Sequence, residues 1–187
     1  ELDGEMCVIA DDQAARGIGG VMGGEDTSCT ESTTEVFIEC ALFDPARIAE
    51  TGRKLGIVSD ARYRFERGVD PEFVVPGIEL ATKLILEFCG GEASEVVVAG
   101  APPSWKRTIP FASKMVKLLG GLDLPVAEIA NILKRLGFAV DGNDPMRISP
   151  PSWRGDVQRE ADLVEEVVRI YCIDKVPSAP MPCPSSV

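Results

Sequence analysis

Ser59-Asp-Ala-Arg-Tyr-Arg-Phe-Glu-Arg-Gly-Val-Asp-Pro71 is the stretch on which the reading of this chain turns. No other part is so dense in side chains that recognise other molecules, and it lies between two segments with helical apolar spacing. Tyr63 and Phe65 alternate with Arg62, Arg64 and Arg67, so an extended backbone would set rings on one face and guanidinium groups on the other. Gly68 permits a turn. Asp70-Pro71-Glu72 then reads as a helix start, with Asp as cap and Pro in the first turn.

Upstream, residues 35–43 (EVFIECALF) form a near-continuous apolar run, the pattern of a buried central strand. Glu39 interrupts it. A carboxylate there is costly unless hydrogen-bonded; its partner is either a nearby arginine or a donor on a ligand held in a pocket. Asp44-Pro45 caps a helix running to about Leu55 and closed by Gly56. A second helix runs from Glu72 to about Cys89 and ends at Gly90-Gly91. Residues 96–99 supply another strand. Near the start, residues 6–10 read as a short buried strand, and 1–4 as the returning arm of a hairpin, so the chain is expected to begin in mid-domain. Residues 17–24 (GIGGVMGG) invite a dinucleotide-loop reading, which requires a helix directly after the glycines. Beyond Gly24 the chain is instead polar and rich in Ser and Thr, which favours a strand and turns in which glycine backbone lines a tight pocket. The pattern is α+β, a mixed sheet with flanking helices, and not a repeated βαβ.

The expected organisation is a domain over 1–100, a Pro-stiffened linker at 101–106, a second domain over 107–176 and a Pro-rich tail at 177–187. The second domain reads as strand, two short helices, a β-hairpin around 138–149 and a helix over about 160–171. That order suggests a small winged-helix-like α+β module. Such a shape is often associated with DNA, but Lys134 and Arg135 are the only bases on its second helix, which favours a protein-docking or scaffold role.

The chain of 187 residues is 45% hydrophobic and long enough for real cores. No apolar run approaches membrane-spanning length and no signal peptide is visible, so a cytoplasmic protein without membrane contact is expected. Histidine is absent, which excludes His triads and His-ligated zinc within this sequence. Six cysteines sit far apart without CxxC spacing; buried free thiols are the favoured reading, disulfides or a zinc site the alternatives. Charge is uneven: residues 1–100 carry a net −12 and 101–187 a net +1. Neither half is basic enough to grip nucleic acid unaided. Yet Arg47, Arg53, Lys54, Arg62, Arg64 and Arg67 form a local patch, able to meet one phosphate-bearing end or simply to face solvent.

The motif SDARYRFERGVDP, with GVMGGE at 20–25 and FIECALFDP at 37–45 in the same order, resembles the β subunit of bacterial phenylalanyl-tRNA synthetases over their B3/B4 editing domain. PPSWRGDVQREADLVEEVVRIY (150–171) resembles the B5 domain of that subunit. The resemblance implies a central fragment of an enzyme that attaches phenylalanine to its tRNA as an α2β2 assembly. The ATP site and aminoacylation belong to the α subunit, leaving this fragment at most weak editing activity. It implies an editing pocket for tyrosine wrongly joined to tRNA(Phe), built here from Gly23, Glu39, Ser59 and Ala61. Ser59 stands where the family usually has threonine, and the family's pocket histidine has no counterpart. Arg62, Arg64 and Arg67 are the candidate tRNA contacts. No residue is a convincing general base, so a positioned water is expected to hydrolyse the ester. The rival reading is a non-catalytic protein- or RNA-docking scaffold.

A second constellation is acidic. On a helix, Asp162, Glu165 and Glu166 share a face by i, i+3 and i+4 spacing, and Asp156 must join from the non-helical approach. Such oxygens suit magnesium, though acids in a first helical turn also complement the helix dipole. The B5 resemblance implies magnesium ligands at these four positions, shared with the α subunit.

Overall fold

A computed structural model describes residues 1–178, and these form two compact units, Glu1–Ser104 and a second beginning at Trp105. The architecture is α+β. The proline-rich tail read at 177–187 lies outside the described residues beyond Ser178, as does Cys183.

Unit 1 opens with an antiparallel meander of β1 (Val8–Ala10), β2 (Ala15–Ile18) and β3 (Met22–Gly23). Asp11 closes the first turn, accepting from the backbone N–H of Gln13 and Ala14 and from Arg16 Nε at 2.6 Å. These bonds, led by Arg16, hold its carboxyl down at about 2. Residues 1–4 form no strand, because β1 pairs with β2. Helix α1 (Pro45–Leu55) has the expected ends: Asp44 accepts from Arg47 N–H at 2.9 Å, and Gly56 closes it in the left-handed region at φ 63°. Ile48 of α1, Val21, and a T-shaped Phe43–Phe65 pair with centroids 5.2 Å apart form a small apolar knot over the glycine turn. Gly20 is needed there, since φ is 66° and a Cβ would meet Ile48 and Phe43 side chains at 3.0 Å.

The stretch from Ser59 is not extended as its alternation suggested. It forms helix α2 (Asp60–Phe65), capped by the Ser59 hydroxyl, which accepts from Arg62 N–H at 3.1 Å. An Ncap serine, an acid at the first position and no β-branched residue outweigh the two-residue alternation. Helix α3 (Val74–Cys89) starts later than Asp70-Pro71 indicated, because Asp70 spends its carboxylate on a turn, accepting from Glu72 N–H at 2.9 Å. Residues 35–43 and 96–99 adopt no strand pairing. Without a neighbouring ladder among the described residues several of their apolar side chains stay open to solvent, Phe37 90% exposed and Val97 88%, while Ile38 and residues 40–43 are half-buried.

Unit 2 has the expected order: β4 (Ile109–Phe111), α4 (Lys114–Gly120), α5 (Val126–Arg135), β5 (Ala139–Asp141), β6 (Met146–Ser149) and α6 (Glu160–Tyr171). The sheet is antiparallel with β6 central. Phe111, Met146 and Ile148 face Val116, Ile129, Leu133, Leu163 and Val167 in one closed core. Each such side chain is worth roughly 1.5–3 kcal/mol of burial. Gly120 lets α4 approach α6, since a Cβ there would lie 2.6 Å from Val168. Among the described residues, no helix is long and apolar enough to cross a membrane. Their cysteines are free, as expected, but Cys7, Cys40 and Cys172 are half-buried and Cys29 and Cys89 exposed, so none is the buried thiol expected.

Candidate functional site

Unit 1 contains a cleft of about 1510 Å³ between the glycine-bearing strands, the 33–43 segment and α2 with the start of α3. One wall is backbone: β2, the Gly19-Gly20 turn and β3 bring few side-chain atoms, which leaves room above them. Val36, Phe37, Glu39 and Ala41 of the 33–43 segment line the cleft too, as do Ala61, Phe65 and Phe73. Its surface is mainly apolar, but Asp11, Arg16, Glu25, Asp26, Glu35 and Asp70 line it together with Glu39, so a ligand there would meet charged groups as well as rings.

Gly23, Glu39 and Ala61 all line this cleft. Gly23 would accept a Cβ without meeting any atom within 4 Å, so its lack of a side chain widens the site and is not demanded by packing. Glu39 lines the cleft, forms no ion pair among the described residues and remains exposed, yet partial withdrawal from water pushes its pKa up. Of the two partners its sequence position allowed, the arginine is not present among the described residues. Ala61 on the first turn of α2 keeps its end of the cleft open.

Ser59 does something else. Its hydroxyl donates to the Val21 carbonyl at 2.5 Å while accepting from Arg62 N–H, so it ties α2 to the glycine turn from behind the cleft. It positions Ala61 without lining the site. The three arginines also part ways. Arg62 is turned inward, donating to Ile57 O at 2.6 Å and to Glu66 at 3.0 Å, over a Gly52 whose Cβ would collide with its side chain. Arg67 lies over the Tyr63 ring at 3.7 Å and pairs with Glu66. Arg64 is exposed, with no hydrogen bond or ion pair among the described residues, and is the freest of the three for an outside anion.

In unit 2 the acidic set does not converge. Asp162 accepts from the backbone N–H of Gln158 and Arg159, both at 2.8 Å, and so serves the open N-terminus of α6. Asp156 and Glu166 both bind Arg154, at 2.7 and 2.9 Å, while Glu165 is exposed and apart. The spacing was right for one helical face, but neighbouring positions 165 and 166 stand about 100° apart. Sequence reasoning missed Arg154 as their partner. Among the described residues no group of three or more His, Cys, Asp or Glu side chains is arranged to hold a metal ion. The acids as they stand do not fit the magnesium implied for them, because Asp156 and Glu166 are paired with Arg154, Asp162 serves backbone N–H groups, and Glu165 stands apart from the other three.

Two family models match the chain, the B3/4 domain over residues 1–90 and the tRNA synthetase B5 domain over 109–172. Similar proteins include a phenylalanine–tRNA ligase beta subunit of Paramagnetospirillum magneticum, 54% identical over 98% of this chain. Others are the beta subunits of Rhodospirillum rubrum, 55% identical over 97%, and Brucella abortus, 53% identical over 100%. This chain belongs to the phenylalanine–tRNA ligase β-subunit family. It spans 23% of the length of each of those relatives. The B3/4 match covers the whole cleft, and the B5 match covers the core of unit 2 with Arg154 and α6.

Proposed function

We propose that this chain is the central part of a phenylalanine–tRNA ligase β subunit in which unit 1 recognises tyrosine wrongly esterified to tRNA(Phe). The observation that carries this reading is Glu39, a carboxylate without a protein partner among the described residues, in the lining of a mainly apolar cleft together with Phe37 and Ala61. An apolar synthetic site discriminates weakly against a ligand that merely adds a hydroxyl. A second site with a hydrogen-bond acceptor reverses the preference: the tyrosine hydroxyl donates to Glu39, whereas phenylalanine leaves that acceptor desolvated and unpaired. Gly23 and Ala61 give the ring its space, and Ser59 sets the α2 end of the cleft. Hydrolysis then falls to a positioned water at the ester, with the ribose hydroxyl of the terminal adenosine beside it.

In this reading Arg64 meets the tRNA backbone, and Arg62 and Arg67 hold the loop that presents it. Unit 2 is a scaffold that contacts the α subunit of an α2β2 enzyme, with ATP and magnesium belonging to the α-subunit site where phenylalanine is attached. The test is made in the whole α2β2 enzyme. Glu39→Ala should slow hydrolysis of Tyr-tRNA(Phe) about ten- to a hundred-fold, the equivalent of one charge-assisted hydrogen bond of roughly 1.5–3 kcal/mol. Charging of tRNA with phenylalanine should be unchanged. Undiminished editing in that variant would remove Glu39 from the role.

A further inference from the structure

The loop between β6 and α6 is held by charges that the editing reading does not use. Arg154 makes a two-pronged contact with Asp156, Nε to Oδ1 at 2.9 Å and Nη2 to Oδ2 at 2.7 Å. It makes a second with Glu166, Nη1 to Oε2 at 3.0 Å and Nη2 to Oε1 at 2.9 Å. Arg169 adds a bond to Glu166 Oε2 at 2.5 Å. Glu166 is the innermost member, its side chain 8% exposed, and Arg154 is 20% exposed. From the other side Arg107 donates to the carbonyls of Arg154 at 2.5 Å and Val157 at 2.7 Å, joining the loop to the segment leading into β4.

Within this network the guanidinium groups of Arg154 and Arg169 face the carboxylates of Asp156 and Glu166, and these four charges cancel. A divalent cation entering between Asp156 and Glu166 would meet Arg154 at contact distance, and its gain in ligands would be offset by that repulsion and by the lost bidentate bonds. The planar fork spans both acids at once, a geometry that a lysine ammonium cannot reproduce. We infer that Arg154 is the built-in counter-ion of this acidic face and clamps the β6–α6 loop to α6 without a divalent cation. The neighbouring Trp153 packs its ring 3.2 Å from where a Cβ would stand at Gly137 while most of it remains exposed.

Both tryptophans of the chain, Trp105 and Trp153, lie in unit 2, so tryptophan emission, excited selectively over Tyr63, reports on that unit. Thermal melts of the 187-residue chain read by fluorescence should coincide in EDTA and in excess magnesium chloride. Arg154→Lys, which keeps the charge and loses the fork, should lower the midpoint by about 5 °C, and Arg154→Ala by about 10 °C or more. In 15N spectra the Arg154 Nε–H signal should be protected from exchange and unmoved by magnesium. A saturable rise of the wild-type midpoint with magnesium, a shift of that Nε–H signal on titration, or an Arg154→Lys midpoint equal to wild type would each overturn the inference. The magnesium titration and the lysine variant decide it even if the alanine variant fails to fold.

Discussion

Among the described residues, unit 2 closes fourteen buried hydrophobic side chains into one core, whereas unit 1 fully buries only Val21 and Ile48. No residue of α3 is buried, and Phe73, Leu80, Leu84 and Phe88 of that region are exposed. Unit 2 is thus stabilised by its own packing, while unit 1 keeps part of its apolar surface around a cleft, leaves Leu80, Leu84 and Phe88 open outside it, and leans on hydrogen-bonded caps and turns. A unit that must admit a ligand cannot also fill its hollow with side chains.

The sharpest way to break this contrast is to delete one large side chain from each unit. Phe111→Ala in unit 2 removes a ring with no exposed surface and should cost about 3–5 kcal/mol in denaturant unfolding monitored by tryptophan fluorescence. Phe37→Ser in unit 1 removes a ring that is almost wholly in water and should change stability by less than about 0.5 kcal/mol, read by hydrogen exchange of unit 1 amides because both tryptophans lie in unit 2. Equal effects would mean that residues 35–43 are packed in solution, and the division between the units would fail.

A smaller effect tests the polar stitching of unit 1. Ser59 joins the glycine turn to α2 through two hydrogen bonds made by one hydroxyl. Ser59→Ala should destabilise α2 by about 1 kcal/mol, read as faster amide exchange at Arg62 and Tyr63. Ser59→Thr, which keeps the hydroxyl, should retain that protection. If alanine changes nothing, the cap is not what holds this end of the cleft.

The same contrast explains how much of the molecule was legible in the sequence. Unit 2 was readable nearly to the residue because its helices carry local punctuation and apolar spacing that agree with one closed core: α6 spans the expected residues 160–171. In unit 1 the signals conflicted. The ring-and-arginine alternation after Ser59 was weaker than the cap that starts α2, and the strand-like run at 35–43 has no ladder to join among the described residues. Of the cleft residues, Gly23, Glu39 and Ala61 could be placed from the motifs, whereas the role of Ser59 depends on Val21, 38 residues away in sequence, which no local pattern discloses. Arg154 was legible only as one more base. The signal was its position two residues before Asp156 and twelve before Glu166, and only folding shows that both distances close on one guanidinium.

The smallest expected effect is the most diagnostic, because its sign separates a ligand-facing acid from a structural one. The Glu39 carboxyl is raised above its ordinary value by desolvation, so the charged form is disfavoured in the folded chain relative to the unfolded one. Below the unfolded value both states are protonated and Glu39 contributes nothing. As pH rises past that value the unfolded chain ionises first, stability falls, and the loss is complete once pH exceeds the folded value. Glu39→Gln should therefore be slightly more stable than wild type at neutral pH, and the difference should vanish as pH drops through the carboxylate range. Hydrogen exchange of unit 1 at several pH values reads this directly. An acid paired with a hidden arginine would have a lowered value and give the opposite sign, with glutamine less stable at neutral pH. A stabilising Glu39→Gln that also impairs editing would show an acid retained at a cost to the fold, which is the expectation for a group whose partner arrives with the substrate.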